Sequence, residues 1–345
     1  MKKLSFILSI CFLLSIILSG CGGNTMTKQA SSSGGKNEYE PVTIRLAYNL
    51  PQDHHISIGI ENFAKKVTEK SGGKVKIQVY PAGQLLSDKE MNQAILTGGV
   101  EMGVNSSTLW SSVVPAMGIF DVPYAFSNYE KAGKALSGEM REKLNQAMEE
   151  KGAKVLMYAD YGYAQFANNV RPLKSPADFK GLKIRSIGEI PSEMIKAYGA
   201  SPVFFGAGEV YTALQRKTID GATSGTTAML QRHYDEVAKY LTINNYAYLE
   251  FILAMNKNFW DRLPENTKNL LSETAKETEQ WIRAQAKSED ERTAKALKEK
   301  GMQIEAISEA ELSEWKKAAE PARAAYIKQA GDLGKELLDS IEHLQ

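Results

Sequence analysis

From Pro41 onward, short runs rich in β-branched residues alternate with segments of helical periodicity, and this alternation limits the chain to an α/β fold. Residues 42–49 (VTIRLAYN) place Val42, Ile44 and Leu46 on one face of a strand. Ile56, Ile60, Phe63, Ala64 and Val67 follow at helical spacing, and Ser71-Gly72-Gly73 ends that helix. Val75, Ile77 and Val79 form a second alternating strand. Ser87-x-x-Glu90 is a capping-box pattern that opens a helix to about Leu96. Further strands are predicted at 102–104 and 154–158. Strands joined through helices imply a mostly parallel sheet.

A second unit begins near Tyr163. Ser175-x-x-Asp178 is another capping-box pattern, with Pro176 at the first helical position. Strands are predicted at 182–185 and 203–205, helices at 191–198 and 209–215, and a strand end at 221–224. Residues 241–255 carry two more strand-like stretches. Beyond Pro264, residues 266–300 contain neither Pro nor Gly. The i, i+4 pairs Glu279/Arg283 and Glu291/Lys295 there predict a long, solvated helix. At about 150 residues per domain, 345 residues also suggest two domains.

The N-terminus is an address rather than part of that fold. Lys2 and Lys3 precede an uncharged run, 4–18, that spans about 22 Å as a helix, short of the roughly 30 Å hydrocarbon layer. Residues 1–20 therefore read as a signal peptide. The run ends in Leu18-Ser19-Gly20-Cys21, which resembles the lipobox of bacterial lipoproteins; the resemblance implies cleavage before Cys21 and attachment of a diacylglycerol to its thiol. An uncleaved anchor helix is the alternative. Residues 21–40, Gly/Ser-rich and without apolar period, read as a flexible tether reaching about 24 Å. Cys11 leaves with the signal and Cys21 is acylated, so no thiol remains for nucleophilic, metal or disulfide chemistry. Without Lys2 and Lys3, 40 basic residues face 41 acidic ones, a balance that offers no electrostatic footprint for nucleic acid.

Enzyme and cofactor signatures fail individually. Gly206-Ala-Gly208-Glu-Val-Tyr211 begins like a dinucleotide loop but has Tyr at the third glycine. Gly221-Ala-Thr-Ser224-Gly225 carries its serine one place late for a nucleophile elbow. His54-His55 lacks metal-ligand spacing. No enzyme activity, cofactor or metal is expected.

The segment Arg171-Pro-Leu-Lys-Ser-Pro-Ala-Asp-Phe-Lys-Gly-Leu-Lys-Ile-Arg185 resembles the central motif of TRAP-type (tripartite ATP-independent periplasmic) solute-binding proteins of the DctP family. Gly199-Ala-Ser-Pro202, Glu209-Val-Tyr-x-Ala-Leu-Gln215, Ile219-Asp-Gly221 and Tyr234-x-Glu-Val-x-x-Tyr-Leu241 continue the pattern in order. Upstream, residues 71–85 and Asp121-Val-Pro-Tyr-x-Phe126 also fit. The resemblance spans roughly residues 42–320.

It implies a two-lobed periplasmic-binding-protein-like α/β fold with hinge strands and a long helix spanning both lobes. Lobe 1 is expected at 41–162 plus about 250–289, lobe 2 at 163–249 plus about 290–345, with hinge positions around Tyr161-Gly162-Tyr163. It further implies an extracytoplasmic protein that traps a small organic acid and delivers it to a permease of one small and one large membrane subunit. In the family, the arginine at the position of Arg185 binds the ligand carboxylate, and a planar guanidinium suits that bidentate task. Two departures stand out: Ala164 occupies the place of a second family arginine, and Ser224 that of an amide side chain. The expected ligand therefore has one carboxylate on Arg185 and its remainder on neutral groups, with Asn49, Ser106, Gln165, Tyr211 and Ser224 as candidates and Trp110 and Phe204 as possible apolar lining. An ABC-transporter binding lipoprotein and a ligand-presenting accessory of a sensor kinase are the competing readings.

Overall fold

A computed structural model of the protein describes residues 38–344. The signal peptide, Cys21 and nearly all of the tether lie outside the described residues. The strands are β1 (Val42–Tyr48), β2 (Val75–Tyr80), β3 (Met102–Ser106), β4 (Ala153–Asn168), β5 (Lys183–Ser186), β6 (Ser201–Phe204), β7 (Gly221–Gly225), β8 (Tyr240–Asn256) and β9 (Gln303–Ala306). They form one sheet in the order β2-β1-β3-β8-β4-β7-β5-β6, with β9 pairing alongside β8.

The sheet is parallel within each half and antiparallel in the middle. β1 runs parallel to β2 and β3, and β5 parallel to β6 and β7, because helical crossovers join them. β3–β8, β8–β4 and β4–β7 are antiparallel. The sheet is thus mixed rather than mostly parallel. β4 and β8, of 16 and 17 residues, are about three times the usual strand length and run through both halves. What the sequence suggests as two strand-like stretches in 241–255 is this single strand. Its pairing with β4 slips at three places, between Val155 and Met157, Asp160 and Gly162, and Ala164 and Phe166. Gly162 sits at the middle slip with φ +104°, and a Cβ there would lie 2.5 Å from Asp290 Oδ2, so only glycine fits.

The helix Glu265–Glu299 is continuous over 35 residues. It packs on β4 and on helix α1 (His55–Lys70) with Leu271, Ala275 and Ile282, and farther along it meets the helix Thr226–Gln231 through Thr293. Glu279 and Arg283 do pair, at 3.3 Å, but against the sheet rather than in solvent. Glu279 is 6 % exposed and accepts both terminal nitrogens of Arg141, at 2.6 and 2.9 Å, while Arg283 reaches Asp160 at 2.9 Å. The helix lies across the sheet, so its inner face meets β4 rather than water. Glu291 and Lys295 each take other partners, Lys287 and Glu299. The C-terminal segment Glu320–Glu342, two helices broken by a kink at Gly331 (φ +59°), packs against both Pro115–Asp121 and Glu189–Ala197, clasping the two halves.

Candidate ligand-binding site

Parallel strands end where their side chains can converge, and in open α/β sheets the crevice beyond their carboxyl ends is the usual ligand site. Here Asn49 follows β1, Ser106 ends β3, Arg185 lies near the end of β5 and Ser224 near the end of β7. These four line one recess, which is partly open to solvent. Tyr161, Tyr234, Tyr246 and Phe251 supply its aromatic wall.

Arg185 is 4 % exposed. Its Nε donates to Phe205 O at 3.0 Å and its Nη1 to Thr223 O at 2.7 Å, so backbone carbonyls hold the guanidinium in place. Burial lowers its pKa from the ordinary value, against weaker opposing effects of Tyr234 and Asp88. A second guanidinium, Arg232, lines the same recess and donates through Nη2 to Asn49 O at 2.8 Å and Asn49 Oδ1 at 3.2 Å. Among the described residues, no aspartate or glutamate forms an ion pair with either arginine. Asp88, also in the wall, spends its carboxylate on the backbone N–H groups of Lys89 (3.1 Å) and Ala207 (2.9 Å). Two cations facing one recess, neither of them ion-paired to a carboxylate, favour an anion there.

Contacts across the mouth join the halves. Besides Arg232 and Asn49, Asp88 meets Ala207, and Lys89 pairs with Glu209 at 2.6 Å while its ammonium lies 5.4 Å from the Phe204 ring centre.

Four of the six expected ligand contacts are therefore brought together: Arg185, Ser224, Asn49 and Ser106. The Ser224 hydroxyl is 3.0 Å from the Tyr161 hydroxyl, and the Ser106 hydroxyl accepts from Leu109 N at 3.2 Å as a helix cap. Gln165 and Tyr211 lie elsewhere. Gln165 fills the third β4 slip, accepting from the backbone of Asn244 and Asn245 and donating to Asn245 Oδ1, so both ends of its amide are occupied. Tyr211 follows Val210, which with Ala213 and Leu214 forms the buried face of Val210–Gln215; one residue on turns it outward, to Glu236 at 2.7 Å. Trp110 is wholly buried core, and Phe204 is 53 % exposed at the mouth.

The family model for bacterial extracellular solute-binding proteins, family 7 (DctP), matches residues 46–329. The chain belongs to that family. This family 7 protein is 31% identical to the C4-dicarboxylate-binding periplasmic protein DctP of Rhodobacter capsulatus over 85% of this chain and 88% of that one. It is 28% identical to the 2,3-diketo-L-gulonate-binding periplasmic protein YiaO of Escherichia coli, over 88% and 92%. In structure it is similar to a TRAP periplasmic solute-binding protein of Sulfurospirillum deleyianum with bound succinate, at TM-score 0.83 and 28% identity over 89% of this chain and all of that one. A second, from Sulfitobacter with bound β-D-galacturonate, superposes at TM-score 0.83 and 26% identity over 88% and 100%.

The family 7 protein thus has the two-lobed α/β architecture of TRAP solute-binding proteins. The two relatives named above are binding proteins. Among its described residues no group of three or more His, Cys, Asp or Glu is placed to hold a metal ion, and no helix is long and apolar enough to cross a membrane. What sequence reasoning missed is Arg232. It caps the short helix Thr226–Gln231 in a stretch without motif, and only folding brings it to the recess that Arg185 lines.

Proposed function

We propose that this protein captures a small organic acid in the recess between its halves and delivers it to a TRAP permease built from a small and a large membrane subunit. One observation carries the reading: Arg185 and Arg232 line one recess at the strand ends with no carboxylate among the described residues paired to either. The ligand carboxylate sits on Arg185, whose remaining terminal nitrogen is free to donate, and Arg232 adds a second cation. Asn49, Ser106 and Ser224 supply neutral polar contacts, and the tyrosine wall packs the carbon skeleton. The dicarboxylate and sugar-acid ligands in the names of the relatives support a carboxylate here.

Lobe 1 comprises 41–162 and about 250–289, lobe 2 comprises 163–249 and about 290–345, with the C-terminal segment holding to both. The slips of β4 at Gly162 serve as the hinge, and a ligand bridging both lobes favours the closed arrangement by differential contact. Cys21 carries the lipid that keeps the protein at the outer face of the cell membrane, with 22–40 as tether.

Native mass spectrometry of the purified mature protein, then denaturation and identification of the released molecule, tests the ligand class. A carboxylate is expected. A thermal-shift screen in which only molecules lacking a carboxylate raise the melting temperature overturns the reading. Palmitate labelling lost in Cys21→Ala tests the anchor.

A further inference from the structure

The recess is not cationic throughout. Asp121 ends the 3₁₀ segment Pro115–Asp121 and lines the same wall as Arg185, at 1 % exposure. Its Oδ1 accepts the Thr108 hydroxyl at 2.6 Å, a bond that ties Ser107–Trp110 to the 3₁₀ segment. That tie uses one oxygen. Oδ2 is buried and has no hydrogen-bond partner among the described residues. Buried carboxylate oxygens in native proteins are almost always satisfied, so an orphan in a ligand recess points to a donor that arrives from outside.

Electrostatics agree with the geometry. Burial pushes the Asp121 carboxyl up to about 7, the Thr108 hydroxyl opposing. A donor reaching Oδ2 restores the ionised form. Tyr246 lines the recess together with Asp121 and Arg185, so both groups face one volume.

We propose that Asp121 is a specificity-determining residue: its Oδ2 accepts a hydrogen bond from a hydroxyl or ammonium group of the ligand whose carboxylate Arg185 holds. This rests on the carboxylate reading above. An acid without such a donor leaves Oδ2 buried and empty, and polar sites of that kind discriminate strongly against the analogue that lacks the partner.

Calorimetry on the mature protein tests the proposal with acids of common skeleton: succinate, malate and aspartate; propionate, pyruvate, lactate and alanine; hexanoate and gluconate. In a series that binds, the hydroxyl- or ammonium-bearing acid is expected to bind about 10- to 100-fold tighter than the unsubstituted one. Malate against aspartate separates hydroxyl from ammonium. Pyruvate, whose keto group only accepts, should bind as weakly as propionate. Asp121→Asn, which keeps an acceptor for Thr108 but puts an NH₂ in place of Oδ2, should abolish the preference. Thr108→Val, which removes only the tie, should keep it. The pyruvate comparison needs no variant and stands even if Asp121→Asn fails to fold. Equal affinity across every binding series, or a preference that survives Asp121→Asn, overturns the proposal and leaves the carboxylate reading intact. No binding of any acid overturns both.

Discussion

Arg185→Met separates the cost of a buried cation from its use. The substitution keeps a long unbranched side chain and removes the charge. Without ligand, two effects oppose each other. The carbonyls of Phe205 and Thr223 lose their donors, at about 1.5–3 kcal/mol for each bond to a charged group. Against that, burying an unpaired ion costs several kcal/mol, and the variant is relieved of it. The ligand-free melting temperature should therefore move little in either direction. Ligand binding has no such compensation. Losing one charge-assisted bond lowers affinity by about 10- to 150-fold. At a ligand concentration about 100 times the wild-type Kd, binding stabilises the wild type by about 2.7 kcal/mol. A 30-fold weaker variant gains only about 0.9 kcal/mol under the same conditions. For roughly 300 folded residues, 1 kcal/mol moves the melting temperature by about 1.5 °C, so the ligand-induced shift falls from about 4 °C to about 1 °C. Differential scanning fluorimetry with and without the acid found in the released fraction reads both quantities, and calorimetry supplies the affinity. A variant that keeps the full ligand-induced shift refutes the placement of the carboxylate on Arg185. One that melts many degrees lower without ligand refutes the balance drawn between desolvation and carbonyl bonds.

Arg232→Gln should weaken binding about tenfold by removing the second cation, whereas Tyr211→Phe, which touches only Glu236, should leave affinity within about twofold; calorimetry on the two side by side checks both. Glu250 is fully buried, and burial first, then the charge of the nearby Asp160 carboxylate and a hydrogen bond to it, raise its pKa well above the ordinary range. A raised acid is protonated in the folded state when its unfolded counterpart, near 4.5, has already ionised, so stability declines as pH rises above about 4.5 toward the folded pKa. Glu250→Gln should remove that decline, its advantage in melting temperature over wild type growing between pH 4.5 and 8; a constant difference across that range contradicts the assignment. Gly162→Ala should cost about 2–4 kcal/mol, measured by urea unfolding, since it sets a Cβ at positive φ against Asp290.

Local order was legible because it is local. The capping box at Ser87, the stop at Ser71-Gly72-Gly73 and the unbroken helix after Pro264 each depend on residues within a turn of one another, and all stand in the structure. The family motif likewise carried Arg185 to a strand end, because strand and turn are encoded in the motif itself. The errors are long-range. Helix periodicity puts Glu279 and Arg283 on one face but does not say whether that face meets water or β4. Gln165 is a candidate in the sequence, but the slip that consumes its amide arises from pairing with Asn244 and Asn245, some 80 residues away.

By itself, then, the sequence determined the alternating elements, the two-unit plan, the family and the one arginine that its motif marks. Tertiary structure alone decided which side chains share the recess. It brought in Arg232 from a helix end and Asp121 from a 3₁₀ turn, and it turned Tyr211 away. The physical reason is that a binding site is defined by charge left unpaired in space. Two guanidinium groups without a carboxylate, and one carboxylate oxygen without a donor, can be recognised only once every other partner has been placed.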